Sequence, residues 1–97
     1  MNYRNRALLD LARDAPCMGC GKQDGTTVAA HSNWREHGKG MSVKAHDCFV
    51  AFLCFVCHAA LDQGKEMSRD QRYETWLMAH FKTMLYLWQK ELIGVRK

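Results

Sequence analysis

Apolar positions along the 97-residue chain change their spacing several times, and each spacing predicts a different element. Near the start, "NYRNRALLDLARDAP" places apolar side chains at helical intervals, and Pro16 ends that predicted helix. The small and β-branched segment "TTVAAHSNW" predicts a short strand that ends near His31 or Trp34. "CFVAFL" predicts a second strand, which is apolar on both faces and is therefore expected to be buried.

The second half of the chain predicts two helices. "CFVCHAALDQG" predicts a short helix that Gly64 closes, and Ser68 is placed to cap a long helix that runs to about Ile93. Apolar side chains recur every three or four residues along this helix and predict one apolar face. They are Tyr73, Trp76, Leu77, Phe81, Met84, Leu85, Trp88 and Leu92. We therefore predict a single α+β domain over residues 1–97, with a core at about 15–65 and a C-terminal helix at about 68–93.

Composition agrees with a folded domain that is small enough to benefit from a metal. Apolar residues make up 47% and charged residues 25% of the chain, which is typical of folding rather than disorder. The net charge of +4 is spread evenly, since each half carries seven Lys and Arg against five Asp and Glu. A mild positive charge suits a nucleic-acid partner, but many other proteins share it.

The sequence predicts a reduced, cytoplasmic protein with no membrane segment. Charged residues interrupt the first fourteen positions, which argues against a secretion signal. The longest apolar run, "CFVAFLCFVC", is too short to span a bilayer. Four of the five cysteines lie in CxxC pairs, a spacing that suits a metal better than structural disulfides.

The two CxxC pairs predict a zinc site. Cys17, Cys20, Cys54 and Cys57 can supply four thiolates, and two such pairs complete a tetrahedron around Zn²⁺. An iron–sulfur cluster would use the same ligands, whereas a thioredoxin-like redox role is disfavoured by the presence of two pairs. Cys48 lies within an apolar run and is predicted to be a small buried residue.

A histidine and an aspartate follow the second cysteine pair directly. His58 and Asp62 are four residues apart on the predicted short helix, so that both project from one face. Such a pair can hold a second, harder divalent cation that keeps positions open for phosphate oxygens. From spacing alone, a helix-capping or solvent-facing pair is equally consistent.

Taken together, "CMGC … VAAHSNW … LCFVCHAALD" resembles the HNH, or His-Me finger, nucleases. Within that group it is most similar to the small proteins of phages and prophages, over about residues 17–64. The resemblance implies a small zinc-bound ββα-metal fold with an added N-terminal helix and a long C-terminal helix. It also implies a metal-dependent endonuclease that hydrolyses DNA phosphodiester bonds with Mg²⁺ or a similar divalent cation.

The resemblance also implies roles for particular residues. His31, at the end of the first strand, corresponds to the general base, while His58 and Asp62 correspond to ligands of the catalytic cation. Two positions depart from the family pattern. Ala30 stands where many members carry a metal ligand, and the usual asparagine that orients the base has no counterpart. Asp47 is the nearest polar substitute for that asparagine, with Asn33 as the weaker alternative.

The loop "NWREHGKGMSVK" is the predicted DNA contact. Its glycines allow close approach of the backbone to phosphate, and Arg35, Lys39 and Lys44 can neutralise phosphate charge. A solvated loop of mixed charge would have a similar composition. The resemblance implies contacts to the DNA backbone and minor groove, with weak sequence preference.

The remaining features leave alternatives open. The long helix is expected to cover the core, but aromatic side chains outside its apolar face could form a homodimer contact. His37 and His46 are expected to be exposed loop residues, with phosphate contact or support of the metal site as the alternative, and His80 is expected to be a packing residue. The alternative to a nuclease is a non-catalytic zinc-knuckle module that binds nucleic acid or protein.

Overall fold

A computed structural model describes residues 1–96 as a small α+β fold with three α-helices and a two-stranded sheet. The predicted α+β class is confirmed. The elements in chain order are α1 (Arg6–Asp10), a 3-10 turn (Leu11–Asp14), β1 (Val28–His31), a second 3-10 turn (Arg35–His37), β2 (Val50–Leu53), α2 (Phe55–Gln63) and α3 (Arg69–Gln89).

The two strands pair antiparallel, with Val28 opposite Leu53 at one end and His31 opposite Val50 at the other. All four residues of β2 are buried, as the apolar run predicts. The strands are separated in sequence by the long polar loop, while α2 begins directly after β2. The last residue of β1, His31, therefore lies at the end of the sheet that leads into this loop.

The far edge of β2 bonds to groups outside the sheet rather than to a third strand. His80 donates from Nδ1 to the Val50 carbonyl at 2.7 Å, which requires the proton to be on that nitrogen. The Phe52 N–H donates to Thr83 Oγ1 at 2.9 Å, and the Phe52 carbonyl accepts from the Met18 N–H at 2.8 Å. These hydrogen bonds pair backbone groups at the outer edge of β2, so the two-stranded sheet can be buried without a third strand.

Buried residues form two clusters. The first joins the cysteine region to α2 and α3 and contains Cys17, Ala30, Ala51, Leu53, Cys54, Leu61, Trp76 and Ala79. The second joins the N-terminal helix to β2 and the end of α3 and contains Leu8, Ala12, Ala15, Val50, Phe52 and Leu87. Alternate residues of β2 contribute to the two clusters, as expected for a strand buried on both faces.

Local chemistry sets the helix ends. Asn5 caps α1 by accepting from the Leu8 N–H at 3.0 Å, so the first helix begins at Arg6 and is shorter than predicted. Ser68 and Gln71 form a complete capping box at the start of α3. Gly64 ends α2 with an ordinary φ of −69°, and a side chain there would collide with the Ala60 carbonyl oxygen.

Helix α3 differs from the prediction in length and in its faces. It ends at Gln89 rather than near Ile93, because Glu91 adopts a φ of 57° and the Leu92 N–H bonds to the Leu87 carbonyl. The prediction that α3 has a single apolar face was wrong. Trp76 is buried, but Phe81, Leu85, Trp88 and Leu92 are exposed.

Within residues 1–96, no helix combines the length and the apolar character needed to cross a bilayer.

Candidate functional site

The four cysteines of the CxxC pairs converge on one point. The sulfur atoms of Cys17, Cys20, Cys54 and Cys57 all lie within 4.8 Å of one another, and all are free thiols. The Sγ atoms of Cys20 and Cys54 are 3.8 Å apart. A tetrahedral zinc site with Zn–S bonds of about 2.3 Å requires sulfurs about 3.8 Å apart, so this cluster can hold a zinc ion.

The tight turn after Cys17 supports the cluster. The Gly19 and Cys20 N–H groups point at the Cys17 sulfur, at 3.3 and 3.5 Å. Gly19 itself must be small, because a Cβ atom would lie 3.2 Å from the Cys57 sulfur and 3.3 Å from the Leu53 side chain. The sequence of this turn is therefore fitted to bringing sulfur atoms together.

The ionisation of the thiols also favours a cation. Burial raises the pKa of the Cys17 thiol, but hydrogen bonds from the backbone of Cys54, Cys20 and Gly19 outweigh it and lower the pKa to about 6. Burial, followed by the three neighbouring cysteines, raises the pKa of Cys57. Four adjacent thiolates repel one another, and a bound divalent cation relieves that repulsion. Cys48, the fifth cysteine, is half-buried and lies outside the cluster.

The predicted base and its predicted partner are in contact. His31 Nε2 lies 2.8 Å from Asp47 Oδ1, across the loop that joins the two strands. The Asp47 side chain is almost fully buried, whereas that of His31 is 17% exposed. Among residues 1–96, Nδ1 of His31 has no hydrogen-bond partner.

The N-terminal segment surrounds Asp47, and the sequence did not indicate this. Arg4 donates to Asp47 Oδ1 at 3.0 Å, and the Asn5 N–H donates to Oδ2 at 2.6 Å. Burial raises the pKa of Asp47, but the hydrogen bonds from His31, Asn5 and Arg4 outweigh burial, and the pKa lies below its ordinary value. The carboxylate is thus held ionised beside His31.

The segment also holds the polar loop in place. Asn2 donates to the carbonyls of Gly38 and Lys44 at 2.7 and 2.8 Å, and Arg4 donates to the carbonyl of Ala45 at 2.6 Å. Gly38 has a φ of 92°, and a Cβ atom there would lie 2.7 Å from the His46 ring. These contacts join residues about forty positions apart, so no local pattern could have found them.

His58 and Asp62 form a second pair on α2. His58 Nε2 is 2.9 Å from Asp62 Oδ2, and both side chains are about one-third exposed. Asn33, two residues beyond His31, donates to Asp62 Oδ1 at 3.3 Å. Asn33 therefore bonds to the predicted cation ligand, while Asp47 bonds to the predicted base.

Arg72 of α3 fixes the end of α2 that carries Asp62. Its guanidinium donates to the carbonyls of Leu61 and Asp62, at 3.1 and 3.5 Å, and also to those of Gly64 and Met67. The contacts to Leu61, Asp62 and Gly64 satisfy carbonyls that a helix leaves unpaired at its C-terminus. The sequence did not indicate this role for Arg72.

The two histidine–carboxylate pairs remain separate pairs. Over the described part of the chain, the four cysteines are the sole group of three or more metal-ligating side chains within mutual reach. Ala30 is buried, and its carbonyl accepts from the Trp76 indole at 3.1 Å. The residue that precedes the predicted base thus belongs to the core and offers no side-chain ligand.

Positive side chains lie near both pairs. Lys44, a predicted DNA contact, lines a cavity of about 250 Å³ together with His31, Arg6 and Arg13. A second cavity of about 450 Å³ contains Asn33, Asp62, Arg69 and Arg72. The other predicted contacts lie on the polar loop, with Arg35 exposed and Lys39 half-buried.

The other histidines are structural. The His37 ring stacks on Phe49 and Tyr73, and its Nδ1 lies 2.5 Å from Ser32 Oγ, so it is not an exposed loop residue. His46 accepts from the Tyr3 N–H at 2.9 Å, and its side chain is half-buried. His80 is buried and stacks on Trp76, in agreement with the packing role predicted for it.

Comparison with known proteins identifies a family. The model of the family described as "Protein of unknown function (DUF968)" matches residues 1–88, and the chain belongs to this family. A solved structure, described as "a putative bacteriophage protein from Escherichia coli str. K-12 substr. MG1655", is similar with a TM-score of 0.61 and 20% sequence identity. The similarity covers 86% of this chain and 98% of the other, and at this identity it shows a shared fold alone. No curated protein matches the chain significantly.

Proposed function

We propose that the protein is a metal-dependent endonuclease of the HNH (His-Me finger) kind that hydrolyses DNA phosphodiester bonds, with structural zinc in the cysteine cluster. The observation that carries the proposal is the 2.8 Å contact between His31 and a buried, ionised Asp47. A histidine fixed by a carboxylate on one nitrogen, with its other nitrogen free, has the arrangement of a general base.

The element order is consistent with this class. An antiparallel strand pair is followed at once by a short helix, with His31 at the end of the first strand and His58 on the helix. The resemblance to HNH nucleases implies a ββα unit with histidines at these two places. The phage origin of the structural neighbour is compatible with a phage or prophage nuclease, but it carries no information about activity.

The hydrogen bond to Asp47 defines the form of the His31 ring. An ionised carboxylate can only accept, so the neutral ring carries its proton on Nε2 and presents a lone pair on Nδ1. Nδ1 can then remove a proton from a water molecule that attacks phosphorus. Arg4 and the Asn5 N–H keep Asp47 ionised, and Asp47 stabilises the imidazolium that results.

His58 and Asp62 are the residues that would hold the catalytic cation. A nitrogen and a carboxylate oxygen fit a Mg²⁺ or similar ion that takes its remaining ligands from water and phosphate. When bound, such an ion stabilises negative charge on the phosphate and on the leaving oxygen. Asn33 orients the Asp62 carboxylate, because it donates to Oδ1 and leaves Oδ2 facing His58.

The positive side chains beside the two pairs are suited to holding the DNA backbone. Arg13 and Lys44 share a cavity with His31, where Arg6 is paired with Asp10, and Arg69 lies beside Asp62. Phosphate contacts of this kind position DNA without reading its sequence, so binding should weaken steeply with salt. Arg35 and Lys39 extend the same role along the polar loop.

A non-catalytic zinc module that binds nucleic acid is the second candidate, and one observation favours it. Two side chains are few for a catalytic cation, and the position before His31 is occupied by the buried Ala30. In that case the positive side chains would bind DNA without cleaving it.

Nicking of supercoiled plasmid with Mg²⁺ or Mn²⁺ tests the proposal. Wild type is expected to nick the plasmid, and His31→Ala is expected to reduce the rate by about 100-fold or more. Equal zinc content and circular dichroism would show that the variant is folded. Cleavage of equal rate by both proteins would indicate a contaminant or a different base. DNA binding without cleavage, on plasmid and also on branched and single-stranded substrates, would favour the binding module.

A further inference from the structure

Helix α3 carries a second apolar surface on the side that faces away from the core. Met78, Phe81 and Leu85 are each 57% exposed, and Trp88 is 50% exposed. The core side of the same helix contains the buried residues Trp76, Ala79, His80, Thr83 and Leu87. We call the four exposed residues the outer stripe of α3.

The spacing and composition of the outer stripe are those of a helix–helix interface. Successive members are three, four and three residues apart, which places them on one face in the pattern of a coiled-coil seam. Between positions 75 and 89, Lys82 is the sole residue with a formal charge at neutral pH. Aromatic residues and methionine are enriched, and charges depleted, at the centres of protein interfaces.

The exposed area is close to what a dimer needs. Each of these side chains exposes about 100 Å², so the stripe offers about 400 Å² of apolar surface in one copy and about 800 Å² in two. A stable interface buries at least about 1,200 Å² in total, so the two stripes account for about two-thirds of that area. A patch of about 400 Å² is comparable to the largest apolar patch on a typical monomer, which is often functional.

A groove lies at the Met78 end of the stripe. It runs between α2 and α3, has a volume of about 520 Å³, and is lined by residues that include Leu61, Met67, Glu74, Met78 and Lys82. Three methionines contribute to its lining, which suits it to an aromatic ring. Glu74 adds a carboxylate that can accept from an indole N–H.

We propose that the outer stripe is the interface of an antiparallel two-fold homodimer in which Trp88 of each copy enters the α2–α3 groove of the other. The three-four-three spacing is the same in both directions, so a two-fold axis pairs the stripe with itself if it crosses the outer face of α3 at the level of residue 83. The Thr83 side chain itself is on the opposite, core side. Met78 then meets Trp88 of the second copy, and Phe81 meets Leu85. Each of these contacts pairs an aromatic with an aliphatic side chain. Each Trp88 lies against Met78 of the other copy, which borders the groove. This inference does not rest on the proposed nuclease activity.

Sedimentation of the zinc-loaded full chain over micromolar concentrations tests the proposal. Wild type is expected to form a dimer, and Leu85→Lys at the centre of the stripe is expected to abolish it. Trp88→Ala should weaken dimerisation by about 30-fold or more, because it removes the aromatic anchor from its groove. Val43→Lys is the matched control, since Val43 is an exposed apolar residue on the polar loop, outside the stripe and the groove, and the dimer should be unaffected.

Both stripe variants remain testable as folded proteins, because the substituted side chains are half-exposed. Zinc content and circular dichroism verify this. A monomeric wild type would overturn the proposal and assign the stripe to a different protein. A dimer that tolerates Leu85→Lys would overturn it as well. A dimer that is lost in Leu85→Lys but unaffected by Trp88→Ala would overturn the antiparallel arrangement.

Discussion

The cysteine cluster and the region around the two histidine–carboxylate pairs are built in different ways. The cluster takes its four sulfurs from two short CxxC segments, and two of the four cysteines are fully buried. The second region is assembled from the N-terminal segment 2–5, the end of β1, Asp47 of the loop and one face of α2. Its histidines are partly exposed and reach solvent.

This difference predicts that the cysteine cluster stabilises the fold when it holds a metal, whereas the histidine–carboxylate pairs are positioned by the fold. In a chain of 97 residues, a metal in the cluster would join the N-terminal half of the chain to α2 and add to a modest core. The histidine–carboxylate pairs add few buried apolar contacts. Loss of a cysteine of the cluster should therefore unfold the protein. Substitutions in the histidine–carboxylate pairs should leave it folded but reduce the proposed nuclease activity.

The largest expected effect is the loss of a cluster ligand. Cys54→Ser, or removal of the metal with a chelator, should abolish cooperative folding, because the free energy of zinc binding is part of the free energy of folding. Thermal unfolding followed by circular dichroism, with metal content, measures this. Cys48→Ser is the matched control, since Cys48 lies outside the cluster, and should change stability by no more than about 1 kcal/mol. If Cys54→Ser unfolds no more easily than Cys48→Ser, the cluster is not a structural metal site.

A smaller loss is expected when Asp47 is removed. Asp47→Ala leaves the Asn5 N–H, Arg4 and His31 without their acceptor, and should lower the free energy of unfolding by about 2–3 kcal/mol. Metal content should stay at the wild-type level, which urea unfolding and metal analysis together would show. Asp24→Ala removes a fully exposed aspartate that also accepts hydrogen bonds, and should have a smaller effect. Loss of the metal in Asp47→Ala would mean that the two regions are not independent.

The stabilisation by ionised Asp47 should decrease in acid. Because the pKa of Asp47 is lowered in the folded protein, its ionised form stabilises the fold fully above the unfolded value of about 4. This stabilisation is lost as the pH falls through the lower folded value. Asp47→Asn lacks this part of the acid dependence, so the stability difference between wild type and variant should shrink below about pH 4. A constant difference across the acid range would contradict the lowered pKa. Any release of metal by cysteine protonation in acid should destabilise both proteins equally, so it does not contribute to the difference between them.

The smallest expected change in stability is that of Asn33→Ala. Asn33 makes one exposed hydrogen bond of 3.3 Å to Asp62, so its loss should alter stability by no more than about 0.5 kcal/mol. If Asp62 holds the catalytic cation, the variant should require more Mg²⁺ to reach half-maximal cleavage. Titration of the cation in the nicking assay measures this. An unchanged Mg²⁺ requirement would remove Asn33 from the cation site.

The sequence predicted the elements better than their relations. Strand β2, the short helix closed by Gly64 and the cap at Ser68 follow from local patterns, and the structure contains all three. The prediction for α3 failed because apolar residues lie on two sides of this helix. Their spacing by three and four residues also fits a helix with one apolar face. Which of the two faces is buried depends on what packs against it, and that information lies elsewhere in the chain.

The sequence by itself therefore determined the α+β class, the order of the elements and the cysteine cluster. Each of these depends on short-range spacing, whether the CxxC turn, the alternation of a strand or the cap of a helix. The tertiary structure alone decided that Arg4 and Asn5 surround Asp47, that Arg72 closes α2 and that Met78, Phe81, Leu85 and Trp88 face outward. These contacts join distant positions through hydrogen bonds and packing, and no local sequence pattern records which distant partner a side chain will meet.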